Sequence, residues 1–314
     1  MKTKLISIFL ILSLLLCGCA AQTQAQPVPE ADSFGVTFVD DLGRTVTVRD
    51  PQRVACLLGS FAQVWQLAGG QVIATADDAW DDLHLELPED CVNLGNTKEL
   101  SLELLLSAQP DFVLASSNTR QNVEWRETLE AAGITTAYFD VSDFQDYLYL
   151  LELATSITGR EDLYETHGLA VESRIQSVLE KSRNRGTAPK VLCMRASASM
   201  VTVKNSQDNV LGEMLHSLGC VNIADSDSSL LENISIEKIL EEDPEFIFIV
   251  QRGDDEAGMK AFVENLMEEN PAWQQLTAVQ EGRIFYMDKN LYNLKPNHRW
   301  GEAYEKLEAI LEHG

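Results

Sequence analysis

The sequence predicts an α/β protein of two lobes with mainly parallel sheets, joined by a single long α-helix, and three observations lead there. Apolar strand-like runs alternate with helix-period segments up to about residue 142, and the alternation resumes at residue 190. Residues 143–185 carry helical spacing and no strand signal. Two stretches, "LSLELLLSAQPDF" (100–112) and "ISIEKILEEDPEF" (234–246), share a Ser, a Glu two residues later and a Pro seven residues after the Glu. Roughly 280 residues suitable for folding exceed what one hydrophobic core usually organises, which agrees with two lobes.

In order along the chain, Lys2 and Lys4 precede the apolar run 5–16, an export signal over 1–18 that is too short to span a bilayer. "LCGC" (16–19) resembles a lipobox, which makes Cys19 the acylated first residue of a polar tether, 19–33. The first α/β lobe is expected over 34–155. "VTFVDDLGRTVTVRD" alternates apolar and polar residues about "DDLG" and reads as a hairpin. "RVACLL" is a buried strand, "FAQVWQLAGG" a helix closed by glycine, "VIATA" a strand, and "SLELLLSAQ" a helix stopped before Pro110. "DFVLAS" (strand), "NVEWRETLEAAG" (helix) and "TTAYFD" (strand) complete the lobe. Strands and helices at this spacing pair in parallel, with the helices on the sheet faces.

"YLYLLELATSITG" and "LYETHGLAVESRIQSVLEKS" supply the middle helices. The inter-lobe helix is expected over 156–186; about 25 helical residues reach ~37 Å, enough to cross a small domain. The second lobe, 187–314, then repeats the theme. "KVLCMR" is a strand, "NVLGEMLHSLG" a helix, "VNIA" a strand, "ISIEKILEED" a helix, "EFIFIV" a strand, "MKAFVENLMEEN" a helix and "RIFYMD" a strand, before a last helix from Trp300. In the paired stretches Ser101 and Ser235 stand as N-caps, which leaves Glu103 and Glu237 in the first helical turn, where the helix dipole favours a carboxylate. That accounts for each Glu alone, and does not require both lobes to use one.

A formal net charge of −25, more negative still without Lys2 and Lys4, disfavours nucleic acid and anionic lipid as partners of the surface as a whole. Cys56 and Cys193 sit inside apolar strands and read as buried thiols, while the spacing of Cys91 and Cys220 leaves their pairing open. No GxGxxG, Walker loop, GxSxG or HExxH is present, so the usual phosphate, nucleophile and zinc signatures of enzymes are missing. None of the five histidines falls at a strand end, which speaks against a bare-metal site.

Taken together, the lipobox, the two α/β lobes on one long helix and the paired "SxE…P[DE]F" segments resemble the solute-binding proteins of ABC importers, in the long-helix class that serves iron-siderophores, haem and cobalamin. "DDLGRTVTV", "GNTKELSLELLLSAQPDFVLAS" and "NPAWQQLTAVQEGRIFYMD" carry the likeness from about residue 34 to the end. The resemblance implies two Rossmann-like lobes with a ligand cleft between them and a monomer held by its lipid on the extracytoplasmic face of the cell membrane. It implies no catalysis, cofactor or resident metal; the cargo is an iron chelate, with haem or cobalamin as alternatives. In that family one exposed Glu on each lobe docks against arginines of the permease dimer, and the matching positions are Glu103 and Glu237.

Ligands of open α/β sheets collect beyond the carboxyl ends of the strands. That rule selects Ser60, Trp80, Ser116, Ser117, Asn118, Arg195, Arg252 and Tyr292 as ligand-binding candidates. Arg195 and Arg252 follow strands at corresponding places and suit an anionic ligand, unless each pairs with a nearby acid such as Asp254 or Asp255. Trp80 and Tyr292 offer rings for stacking, and Tyr292 or Met194 an axial ligand for haem. Arg299 and Trp300 read as structural.

Overall fold

The computed structural model describes residues 30–32, 35–207 and 209–314. The expected signal, most of the tether and Cys19 lie outside them. β1 (Glu30–Asp32), which falls at the end of the expected tether, pairs with β2 (Gly35–Val39), and β2 with β3 (Thr45–Val48), as an antiparallel ribbon. The "DDLG" turn is set by Asp40, whose buried carboxylate accepts from the N–H groups of Leu42, Arg44 and Tyr138 and pairs with the Arg44 guanidinium at 2.6 Å. One side chain thus fixes the turn and ties the ribbon to the first lobe.

That lobe runs β4 (Val54–Cys56), α1 (Gly59–Leu67), β5 (Val72–Thr75), α2 (Asp78–Asp81), β6 (Val92–Asn93), α3 (Leu102–Ser107), β7 (Phe112–Ser116), α4 (Arg120–Glu124), α5 (Arg126–Ala131) and β8 (Thr135–Phe139). Its strands are all parallel, in the order β6-β5-β4-β7-β8. β7 is buried at every residue, as a central parallel strand covered on both faces must be, which is why it reads as an unbroken apolar run. The single helix expected over "NVEWRETLEAAG" is broken at Trp125 into α4 and α5.

α6 (Phe144–Thr158) opens on a capping box made by Asp143 and Asp146 and ends at Gly159, whose φ of 69° only glycine adopts freely. The linking rod follows as α7 (Glu161–Tyr164), one π turn (Glu165–Leu169) and α8 (Ala170–Arg185), continuous over 25 residues.

The second lobe comprises β9 (Lys190–Ser197), β10 (Met200–Lys204), α9 (Val210–Ser217), β11 (Val221–Asn222), α10 (Ser229–Glu232), α11 (Ile236–Glu242), β12 (Phe246–Gln251), α12 (Glu256–Glu269), α13 (Thr277–Gln280), β13 (Ile284–Met287), α14 (Lys289–Tyr292) and α15 (Trp300–His313). β9 is central: β12 and then β13 lie on one side, β11 and the antiparallel β10 on the other. β10 was not expected. The strand expected at "VNIA" keeps only two paired residues, because the Asn222 side chain caps a 3-10 turn over Ile223–Asp225.

α15 lies along α8, with ion pairs Arg174–Glu305, Lys181–Glu312 and Arg185–Glu308. The third is buried, with Glu308 only 2% exposed, and Arg185 also donates to the carbonyl of Leu218 at 2.8 Å. Losing either partner of such a pair typically costs about 3–5 kcal/mol, so the rod is firmly joined to the second lobe. Cys91 and Cys220 are free thiols, as are Cys56 and Cys193. Burial pushes Cys91 up to about 11 and Cys220 up to about 12, so both stay protonated and sluggish toward thiol reagents at neutral pH.

Candidate functional site

Both sheets reverse the direction of strand succession at their centre, the first between β4 and β7, the second between β9 and β12. Chain leaving the carboxyl ends at such a point diverges and leaves a crevice. A cleft of about 370 Å³ lies there. Its walls come from the first lobe (Asn118, Asp140, Val141, Ser142), from the second (Arg195, Gln207, Asn209, Val210), and from Asn293 and Lys295 on the segment returning from α14. Only the two valines are apolar.

The register explains the two arginines. Arg195 on β9 pairs with Val250 on β12, and the two-residue period of a strand puts position 252 on the same face as 250. Arg252 is held at the strand end by its own N–H, which donates to the Ala196 carbonyl at 2.7 Å. Burial and the adjacent positive charge of Arg252 together lower the pKa of Arg195. Neither guanidinium has an ion pair among the described residues, and the Arg195 Nε is buried without a hydrogen-bond partner. The acids nearest to Arg252 in sequence are engaged elsewhere: Asp254 pairs with Lys289, and Asp255 caps α12 by accepting from Gly258. Lys295 also lacks an ion pair among the described residues; burial pulls its ammonium below the usual lysine range, with Asp140 and Asp146 opposing.

Of the eight ligand-binding candidates, Asn118 and Arg195 line the cleft and Arg252 stands beside Arg195. Tyr292 does not: α14 turns the ring inward, where it is 2% exposed and its hydroxyl donates to the Ala303 carbonyl at 3.0 Å. Met194 is likewise buried, on the opposite face of β9 from Arg195, so neither is available as an axial ligand. Ser60 is buried and does not line the cleft, its carbonyl accepting from Asn297 Nδ2. Ser116 shapes a turn, its Oγ accepting from the Asn118 N–H while its own N–H donates to Asn122 Oδ1. Ser117 and Trp80 are partly exposed but outside the cleft wall. Trp300 is buried and Arg299 pairs with Glu302. Lys295, absent from the sequence candidates, precedes Pro296 in a loop, and a lone Lys before a Pro carries no pattern that marks it.

Two further contacts join the lobes beside the cleft. Asn297 Nδ2 donates to the Ser60 carbonyl and to Gln63 Oε1 of α1. Lys289 bridges Asp82 of the first lobe, at 2.6 Å, and Asp254 of the second. Nearby, a Cβ on Gly59 would lie 2.6 Å from the Ala79 nitrogen, so only glycine lets α1 and α2 meet. There Asp78 Oδ1 accepts from the Gly59 N–H at 2.9 Å.

Burial pushes the Asp78 carboxyl up to about 6; the Gly59 bond opposes this, and Asp77 and Asp82 add to it. Because the folded pKa is raised above the unfolded one, this contribution to stability is fully present below about 3.8 and is lost as pH rises through about 6. Asp78→Asn keeps the acceptor and removes the titration. In denaturant melts its stability relative to the native chain rises by about 2–3 kcal/mol across that window. A difference independent of pH would show that Asp78 ionises normally.

Glu103 and Glu237 are both exposed, one in the first turn of α3 and the other in that of α11. Ser101 caps α3, its Oγ accepting from the Leu104 N–H. Ser235 occupies the N-cap position without a capping bond, its hydroxyl donating instead to Glu237 Oε2 at 3.0 Å. Each helix is followed by a residue in the left-handed region, Gln109 (φ 51°) and Asp243 (φ 43°), directly before Pro110 and Pro244. Even the strained residue is duplicated.

Comparison with known proteins gives one consistent picture. The family model described as periplasmic binding protein matches residues 54–291. The Fe(3+)-citrate-binding protein YfmC of Bacillus subtilis is 24% identical over 297 residues, 92% of this chain and 90% of its own. Among solved structures, Staphylococcus aureus SirA complexed with staphyloferrin B superposes with a TM-score of 0.67 at 17% identity, covering 88% of this chain and 98% of its own. S. aureus IsdE complexed with heme gives 0.65 at 14%, covering 82% and 98%.

Proposed function

The chain belongs to the periplasmic binding protein family, and from that premise we propose that it captures a small hydrophilic ferric chelate outside the membrane and delivers it to the permease of an ABC importer. One observation carries this reading: Arg195, Arg252 and Lys295 gather at the cleft without ion-pair partners among the described residues, in a chain of net charge −25. Cations left unpaired in so acidic a protein are held for something anionic, and guanidinium groups match carboxylates two bonds at a time. The name of YfmC points to the same cargo.

Capture and release need no chemical step, so the protein acts as a receptor rather than an enzyme. Cys19, once acylated, keeps it at the extracytoplasmic face of the cell membrane, and no helix among the described residues is long and apolar enough to cross a bilayer. Glu103 and Glu237 are the points at which a monomer meets the two halves of the permease dimer. Haem and cobalamin fit less well. The cleft has two apolar side chains where a macrocycle needs broad apolar faces, and Tyr292 and Met194 are buried.

Tryptophan fluorescence of the purified full-length chain, titrated separately with ferric citrate, haemin and cobalamin, tests the reading. Ferric citrate is expected to give a saturable change and to raise the melting temperature, since a ligand that binds only the native state stabilises it. A saturable response to haemin or cobalamin with none to ferric citrate overturns it.

A further inference from the structure

Gln207, which lines the cleft, also lines another hollow of about 340 Å³ in the second lobe, whose charge is of the opposite sign. Glu213 and His216 on α9 and Asp225 from the 3-10 turn line it, and Asp143 and Asp146 at the start of α6 add their field. Glu213 has no ion pair among the described residues; burial, with Asp143, Asp225 and Asp146, pushes its carboxyl above the usual range, and only His216 opposes this. Ser206 lines the same hollow at 4% exposure, its N–H committed to Asp225 Oδ1 at 2.8 Å and its Oγ without a partner among the described residues. The described residues include no group of three His, Cys, Asp or Glu side chains placed to hold a metal ion.

A primary ammonium has three donors. Glu213 and Asp225 bring carboxylate acceptors to the hollow, and the buried Ser206 hydroxyl is one more acceptor left without a partner among the described residues. We propose that this hollow is a second subsite that receives an ammonium-bearing arm of the ligand, so that the preferred cargo is a zwitterionic ferric chelate. This rests on the cationic cleft holding the carboxylate end; Gln207 then stands at the joint between the two charges.

The test uses two ferric complexes that differ in one group. Citrate amidated at one carboxylate with 1,2-diaminoethane carries a pendant ammonium, and its N-acetyl counterpart presents the same iron centre without that charge. On the full-length chain the free amine is expected to bind about tenfold tighter or more, as a partly desolvated charge pair allows. Glu213→Gln is expected to remove that difference while the N-acetyl complex binds as before. Equal affinity of the two complexes for the native chain overturns the subsite and leaves the ferric-chelate reading standing. If neither complex nor ferric citrate binds, the cleft reading fails and takes the subsite with it.

Discussion

Replacing Arg195 and Arg252 together with alanine lowers affinity for ferric citrate by about a hundredfold or more, since each charge-assisted hydrogen bond to a ligand contributes about 1.5–3 kcal/mol. The melting temperature of the free protein should hold or rise, because the two guanidiniums repel one another and have no ion pair among the described residues to lose. Isothermal titration and thermal melts on the same sample separate the two effects. Unchanged affinity would remove both residues from the site, and a large fall in melting temperature would reassign them to the scaffold. Lys295→Met extends the test to the residue that lacks a sequence signature.

The second large effect concerns delivery. Charge reversal at both Glu103 and Glu237 should reduce uptake of radiolabelled ferric citrate by whole cells to background while the purified double variant binds its ligand normally. Two carboxylates on a rigid body can engage two symmetry-related basic pockets in only one orientation, so both contacts fail together. Each single reversal should leave partial uptake. Both side chains are exposed in the first turn of a short helix, and neither has an ion pair among the described residues, so the fold should tolerate the change. Uptake by the double variant equal to that of the native chain would sink the docking assignment.

Much of this architecture was legible because buried parallel strands leave unbroken apolar runs. "DFVLAS" and "EFIFIV" became β7 and β12 with little change. β10 escaped because only Ala198 and Ser199 separate it from β9, too little punctuation to mark a hairpin. The cleft was legible in part. Reading outward from strand ends found Asn118 and Arg252, since parallel strands deliver their successors to one edge; Arg195 was found too, although β9 runs two residues beyond it, so it reaches the cleft from within the strand. The same rule misplaced Tyr292, because the chain after β13 folds at once into α14 and returns the ring to the core, which local pattern cannot report. Lys295 lies eight residues past β13 and Gln207 follows β10, a strand that the sequence pattern did not mark, so tertiary packing alone brings them to the cleft.

The segment around Asn297 bears on how the chain reaches its final form. Its donor to the Ser60 carbonyl stands 237 positions further along, and Lys289 stands 207 positions beyond Asp82. During N-to-C synthesis the first lobe emerges early, yet its ties to Lys289 and Asn297 wait for nearly the last stretch of polypeptide. Contacts at such separation carry a large loop-closure cost and form late. A product ending before residue 289 lacks both cross-ties and is expected to be cleaved by proteases faster than the whole chain.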